Sequence, residues 1–394
     1  MREKTSIRAA SIKPSATTTI NAKANKMQAD GVNVINLSIG EPDFDTPEHI
    51  KLAAIAAIKA GHTKYTAVDG MPSLKEAVIN KFKRDNKLVF TRNQIIVSNG
   101  AKQSLYNLTQ ALLNPGDEAI IPAPYWVSYP PMVKLAEATP VYIHTTVEQR
   151  FKMNARQLKA AITPKTRLLF LNSPNNPTGM VYSDQELSEL TEILLENPNI
   201  IVVSDDIYEH IIWSKESFKN ILNICPELAN QAVIINGVSK SYAMTGWRIG
   251  YAAGPAWLIN AMNKIQSHST SNPTSISQYA AVEALNGDQS FIVKLKRVFK
   301  ERHDFVQTSL NNIPGVICPP AEGAFYLFLC VQEAITKYNL TDDIALCEKI
   351  LDEAHVAVVP GTEFGMPGFI RISYASSIEN LQLALDRLAP VISV

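Results

Sequence analysis

Short apolar runs recur between residues 94 and 253 with helical patterns between most of them, and this alternation constrains the fold more than any other feature. The runs cover residues 94–98, 118–122, 141–144, 168–172, 200–204, 233–236 and 249–253. They are too short for helices and rich in β-branched or small residues, so they read as strands buried on both faces. Apolar strands alternating with helices predict an α/β fold with a mostly parallel sheet covered on both sides. After residue 290 the texture changes to a long charged helix over 291–311, then short strands and helices of an α+β tail. The division expected is an N-terminal arm and start of the small domain over 1–45, a large domain over 46–289, and a small C-terminal domain over 290–394. Thr46 followed by Pro47 reads as the cap and first residue of a helix.

Charge narrows the range of partners. Lys and Arg number 37, as do Asp and Glu, so bulk charge attracts neither nucleic acid nor an anionic membrane. No run approaches the ~18 apolar residues needed to span a bilayer, and the start, MREKTSIRAASIKPSATTTI, has no leader-like apolar stretch. Cys225, Cys318, Cys330 and Cys347 are scattered without a CxxC pair, which predicts reduced thiols in a cytoplasmic protein and no metal site. Small molecules are the partners this composition favours.

In open α/β sheets ligands gather at the carboxyl ends of the strands. After residues 94–98 come Asn99, Gly100 and Ala101 at a helix start, where free backbone N–H groups suit a phosphate; an ordinary helix start would look the same. There is no GxGxxG and no Walker sequence, which argues against a dinucleotide or nucleoside triphosphate. After 168–172 comes a turn fixed by Pro174, Pro177 and Gly179 that displays Asn176. After 200–204 come Asp205, Asp206 and Tyr208, with Asp206 readable as a helix cap. After 233–236 comes Lys240, a lone lysine between two apolar runs. A buried ammonium is costly, so Lys240 has either an ion-pair partner or chemical work, and the stretch alone leaves both open.

The chain as a whole resembles the fold-type I, pyridoxal-phosphate-dependent aminotransferases of the aspartate aminotransferase family, in its bacterial branch. The resemblance rests on KPSAT at 13–17, GEPDFDTP at 40–47, KYT at 64–66, NGAKQ at 99–103, PYWVSYP at 124–130, NSPNNPTG at 172–179, SDDIYE at 204–209, VSKSYAMTGWRIGY at 238–251 and RISYA at 371–375. It implies that Lys240 forms the Schiff base with pyridoxal 5'-phosphate and afterwards moves the proton. It also implies Asp205 as partner of the pyridinium nitrogen, with Tyr208 and Asn176 on the ring's phenolic oxygen. Trp126 would stack on the ring, while Gly100, Ala101, Lys102 and Arg248 hold the phosphate. Tyr65 would reach the phosphate of the partner subunit, making a homodimer with shared sites.

By the same resemblance Arg371 clamps the substrate α-carboxylate, with Gly40 opposite. The animal-type arginine before an SNP motif is missing, since residues 266–273 read QSHSTSNP. The distal carboxylate is then assigned to Ser15, Thr17 and Lys102, with Lys13 at the position linked to prephenate use. SDD replaces the usual SDE, which alters the neighbour of Asp205 rather than Asp205 itself. The expected activity is transfer of the amino group of L-aspartate to 2-oxoglutarate by a ping-pong route. The alternatives are a prephenate, aromatic or alanine aminotransferase, and a pyridoxal-phosphate-binding protein without catalysis.

Overall fold

The structure, a computed structural model, describes residues 5–12, 16–214 and 217–394, leaving aside the side chains of Ala16 and Thr17. Seven strands form the main sheet: β1 (Ile95–Ser98), β2 (Glu118–Ala123), β3 (Thr139–His144), β4 (Thr166–Asn172), β5 (Ile201–Asp205), β6 (Ala232–Gly237) and β7 (Gly250–Ala253). Their order is β1-β7-β6-β5-β4-β2-β3. The pairs β6–β5, β5–β4, β4–β2 and β2–β3 are parallel, while β7 runs antiparallel to both of its neighbours. The reason lies in the β6–β7 connection, which holds a 3₁₀ turn at Thr245–Trp247 but no α-helix. Without a crossover helix to carry the chain back, the next strand returns the other way.

Successive strand residues face opposite sides of the sheet, and the apolar runs divide accordingly. Val97, Ile120, Leu169, Leu171, Val202 and Ile234 face one core, covered by helices Pro72–Lys81, Asp184–Leu195 and Ser275–Asn286. Ile96, Ile121, Leu168, Phe170, Val203 and Ile235 face the other, covered by Ala101–Leu112 and Ala256–Ser267.

A separate core follows. Strands β8 (Tyr326–Cys330), β9 (Val359–Pro360) and β10 (Phe369–Ser373) make an antiparallel sheet in the order β9-β10-β8. Helices Ser290–Asn311, Asp343–Ala354 and Ile378–Ile392 pack on it. The N-terminal helix Ala16–Ala29 joins this core through Ile20 and Ala24, and Ile35–Asn36 pairs in parallel with Val356–Ala357.

Two local expectations change. Helix Glu48–Lys59 takes Pro47 as its N-cap, because the Thr46 hydroxyl donates instead to the Ala243 carbonyl at 2.7 Å. No helix begins at Asp206 either. Its carboxylate accepts from Ser204 Oγ at 2.6 Å and is 1% exposed, because residues adjacent at a strand end face opposite sides.

Candidate active site

A cavity of about 430 Å³ opens where the carboxyl ends of β4, β5 and β6 meet the start of helix Ala101–Leu112 and the face of β10. All the described residues that the family resemblance placed at the site line it except Gly100 and Tyr65. Gly100 braces it from behind; Tyr65 is 92% exposed and lies elsewhere. Lys13, Ser15 and the side chain of Thr17 are outside the described residues.

At one end backbone and guanidinium form a cationic cradle. Gly100 has φ +81°, and a Cβ there would lie 2.3 Å from Arg248 Nη2. A Cβ on Gly250 would lie 2.1 Å from the Ala101 nitrogen, so glycine is required at both positions. Arg248 is itself left-handed, with φ 57°, and anchors through Nη1 to the Thr245 carbonyl at 2.7 Å and Nη2 to the Asn99 carbonyl at 3.3 Å. The first N–H groups of a helix have no intrahelical partner. Beside a guanidinium they suit a phosphate dianion.

In the middle lies the acid. Asp205 is 5% exposed; its Oδ2 accepts from Tyr129 Oη at 2.7 Å and its Oδ1 from the Ile207 N–H at 3.4 Å. Burial pushes its carboxyl up to about 6, against the opposing pull of those two donors and of Lys240. Asn172 holds the turn beside it, donating to the Asp205 carbonyl at 2.8 Å and accepting from the Asn176 N–H at 2.9 Å. Asp206, on the other side of the strand, is driven well above the usual carboxylate range by burial, and also by nearby Glu209.

Lys240 reaches across the cavity. Its Nζ donates to the Gly40 carbonyl at 2.6 Å, and among the described residues no carboxylate lies within ion-pair distance. Desolvation lowers its pKa to about 8, helped by Arg248 and Arg371 and opposed by Glu41 and Asp205. A buried salt bridge therefore does not account for this lysine.

Arg371 closes the far end. It is 6% exposed, donates from Nη1 to Asn176 Oδ1 at 3.0 Å and from Nη2 to the Ser38 carbonyl, and leaves Nε without a partner. Its guanidinium lies over the rings of Tyr326, at 4.5 Å, and Phe364, at 5.2 Å. No carboxylate pairs with it among the described residues. A buried, unpaired cation with a free donor is arranged for an incoming anion. Tyr208 Oη lies 2.8 Å from Tyr326 Oη, and a Cβ on Gly40 would lie 2.4 Å from that same Tyr326 oxygen.

Trp126 sits edge-on to Tyr129 at 5.4 Å, and Lys102 Nζ lies 4.9 Å from the Trp126 ring centroid. Desolvation, and after it Arg248, hold the Lys102 ammonium below its usual value. Tyr129, Asn172, Ser38 and Tyr326 were not anticipated from the sequence. Tyr129 stands three residues after Trp126 in the same motif, which was its one sequence signal.

Comparison with known proteins places the chain in a family. The family described as aminotransferase class I and II matches residues 32–388. An aspartate/prephenate aminotransferase from Nitrosomonas europaea is 54% identical, covering 99% of this chain and all (100%) of its own. An aspartate aminotransferase from Bacillus sp. strain YM-2 is 50% identical, covering 98% and 99%. Among solved structures, the aspartate aminotransferase from Rhizobium meliloti superposes with a TM-score of 0.94 at 46% identity, covering 99% of each chain. That from Thermus thermophilus with maleate gives 0.93 at 42% identity, covering 99% of this chain and 100% of the other. This chain therefore belongs to the class I and II aminotransferases, with the fold of type I.

Proposed function

We propose that the protein moves the amino group of L-aspartate to 2-oxoglutarate, giving oxaloacetate and L-glutamate, with pyridoxal phosphate bound around Lys240. The observation that carries this reading is a lysine with its pKa lowered to about 8, set between a buried carboxylate and a buried arginine without an acidic partner. Members of this family generally use pyridoxal phosphate. The residues present fit that group: a cradle without Cβ atoms for the phosphate, an acid for the ring nitrogen, and an amine for the aldehyde.

Pyridoxal phosphate, when bound, supplies an aldehyde that takes up the amino group and a ring that accepts the electron pair left at Cα. Asp205, oriented by Tyr129, offers its carboxylate to hold a proton on the ring nitrogen. Lys240 Nζ, partly neutral near pH 8, removes the substrate Cα proton and would pass it to the carbon that had carried the cofactor's aldehyde. Arg371 binds the α-carboxylate through its planar fork, and the rings of Tyr326 and Phe364 keep water from that contact. Lys102 is the described cation free to meet a distal carboxylate. The Thermus structure with maleate, a dicarboxylate, supports that choice of substrate class.

Adding each amino acid to the purified holoprotein and following the cofactor absorbance tests the reading. Aspartate and glutamate should give the fastest shifts. Silence toward every amino acid would leave only a non-catalytic binding protein. The Nitrosomonas relative's name favours prephenate as a further acceptor, so the reverse screen should include prephenate and aromatic oxo acids.

The reading includes a homodimer whose sites are completed by Tyr65 of the partner, supported by the 92% exposure of Tyr65 away from its own cavity. Mixed Tyr65→Ala and Lys240→Ala proteins should regain activity on subunit exchange, and no regain would count against shared sites. It also includes a large unit over 46–289 and a small one over 290–394 with the 1–45 arm, supported by their separate cores and testable by limited proteolysis. A cytoplasmic location is supported by four free cysteines. No helix of the described residues is long and apolar enough to cross a membrane. Recovery of the protein in a periplasmic fraction would exclude that location.

A further inference from the structure

Directly behind Lys240 three chain segments meet in a polar knot that the reaction as read above does not use. Ser241, the residue after Lys240, is 1% exposed, and its Oγ lies 3.0 Å from His210 Nδ1. The other ring nitrogen, Nε2, lies 3.2 Å from Asp85 Oδ2. Asp85 belongs to the π-helical turn Phe82–Asn86, where Arg84 donates to its Oδ1 at 2.6 Å and to its Oδ2 at 3.0 Å. Held by Arg84, Asp85 remains an acceptor, so His210 Nε2–H donates to it. In the neutral ring that leaves Nδ1 to accept the Ser241 hydroxyl.

The knot continues into the interior. Glu209 is 3% exposed, pairs with Lys81, and accepts from Asn86 Nδ2 at 2.8 Å and Asn236 Nδ2 at 2.7 Å. His210 follows Asp205 and Tyr208 on one loop, while Ser241 and Lys240 share the next. Their hydrogen bond thus joins the loop bearing the acid to the loop bearing the amine. Neither Asp85, His210 nor Ser241 lines the cavity. Hydrogen bonds fix separation and direction where apolar packing fixes only volume, and a shift of about 1 Å in a reacting group costs roughly a hundred-fold in rate.

We propose that the chain of hydrogen bonds from Asp85 through His210 to Ser241 positions Lys240, setting its amine against Asp205 and Tyr208. This rests on the reading of Lys240 as the reacting amine. The three are positioning residues.

The test compares Ser241→Ala, His210→Ala, His210→Asn and the double variant Ser241→Ala/His210→Ala as full-length holoenzymes. Both single alanine variants should lose roughly ten- to a hundred-fold in kcat for L-aspartate, with KM little changed because Arg371 is untouched. The double variant should lose no more than the worse single one, because both break the same chain of bonds. His210→Asn, with an amide group near the place of Nδ1, should recover part of the loss. A second readout needs no turnover. In cofactor-free full-length protein, the pH dependence of Lys240 acetylation, followed by mass spectrometry, should move above about 8 as the loosened loop admits water to the amine. Unchanged kcat and labelling in Ser241→Ala would overturn the proposal. So would a kcat loss that only follows a lower Tm while the labelling curve stays in place. Turnover by Lys240→Ala would instead remove the reading of Lys240 on which the proposal stands.

Discussion

The Tyr129 hydroxyl donates to Asp205 Oδ2 at 2.7 Å, and both side chains are buried, at 2% and 5% exposure. The bond favours the charged carboxylate in a place where burial opposes it.

Tyr129→Phe removes that donor and keeps the ring that stacks on Phe170 at 4.5 Å. A hydrogen bond to a charged group is worth about 1.5–3 kcal/mol, or roughly one to two pKa units. The Asp205 carboxyl should therefore rise further above about 6. The acid limb of kcat/KM should move to higher pH by that amount, with activity at pH 6 falling more than at pH 8. A profile that only scales down, without moving, would refute the role of this bond.

Asp205→Asn should trade activity for stability. The folded carboxyl titrates near 6 against 3.8 as the reference value, so the shift is upward and about two units wide. A raised acid favours the folded state below the reference pKa, and that contribution is lost as pH rises through the folded value. The asparagine variant should match the parent in stability below pH ~4 and gain between pH ~4 and ~6. Above that it should stay ahead by at most about 3 kcal/mol. Denaturant unfolding of cofactor-free protein at several pH values measures this, and turnover should be nearly abolished.

Arg371→Lys should fail as a substitute. One ammonium cannot reproduce two parallel N–H contacts to a carboxylate while also reaching Asn176 and the Ser38 carbonyl. Losing a buried charge contact costs about 2–5 kcal/mol, so kcat/KM should fall roughly thirty-fold to a few thousand-fold. Because every amino acid carries an α-carboxylate, aspartate and alanine should suffer alike. A loss confined to aspartate would reassign Arg371 to the distal carboxylate.

Lys102→Ala should show the opposite selectivity. Its Nζ lies over Trp126 at the cavity wall, and among the described residues it has no acidic partner to lose. Removing a charge-assisted contact of about 1.5–3 kcal/mol should lower kcat/KM for aspartate roughly ten- to a hundred-fold. The slower reaction of alanine should barely change. Equal losses would point to damage at the phosphate cradle, and no loss would leave Lys13 as the candidate cation.

The strands were legible because each run is apolar at most positions, and the site because its residues follow those strands at the carboxyl edge. Direction was harder. The antiparallel course of β7 depends on the missing helix between Val238 and Ile249, a stretch dominated by the motif around Lys240. Asp206 read as a cap because two adjacent acids suggest a helix start, yet pleating turns one toward the cavity and buries the other beside Ser204. The contact of Arg371 with Asn176, and that of Tyr208 with Tyr326, join residues far apart in the chain, where spacing carries no signal. The hydrogen bond of Tyr129 to Asp205 was hidden by its neighbour, since Trp126 offered the larger aromatic in the same motif.

The place of β7 between β1 and β6 also bears on how the protein is made. Gly100 and the helix behind it extend from β1, an edge strand that, among the described residues, pairs in the sheet with β7. On the ribosome β1 emerges early and must wait, unpaired, until Ala253 has left the exit tunnel, well past the middle of the chain. At ~5–20 residues per second that wait lasts many seconds, far longer than a helix or hairpin needs to form. The cationic cradle of Gly100 and Arg248 is thus a late product of synthesis. A nascent chain that stops short of Gly250 leaves open the edges of β1 and β6 that β7 would cover, and each can pair with another chain.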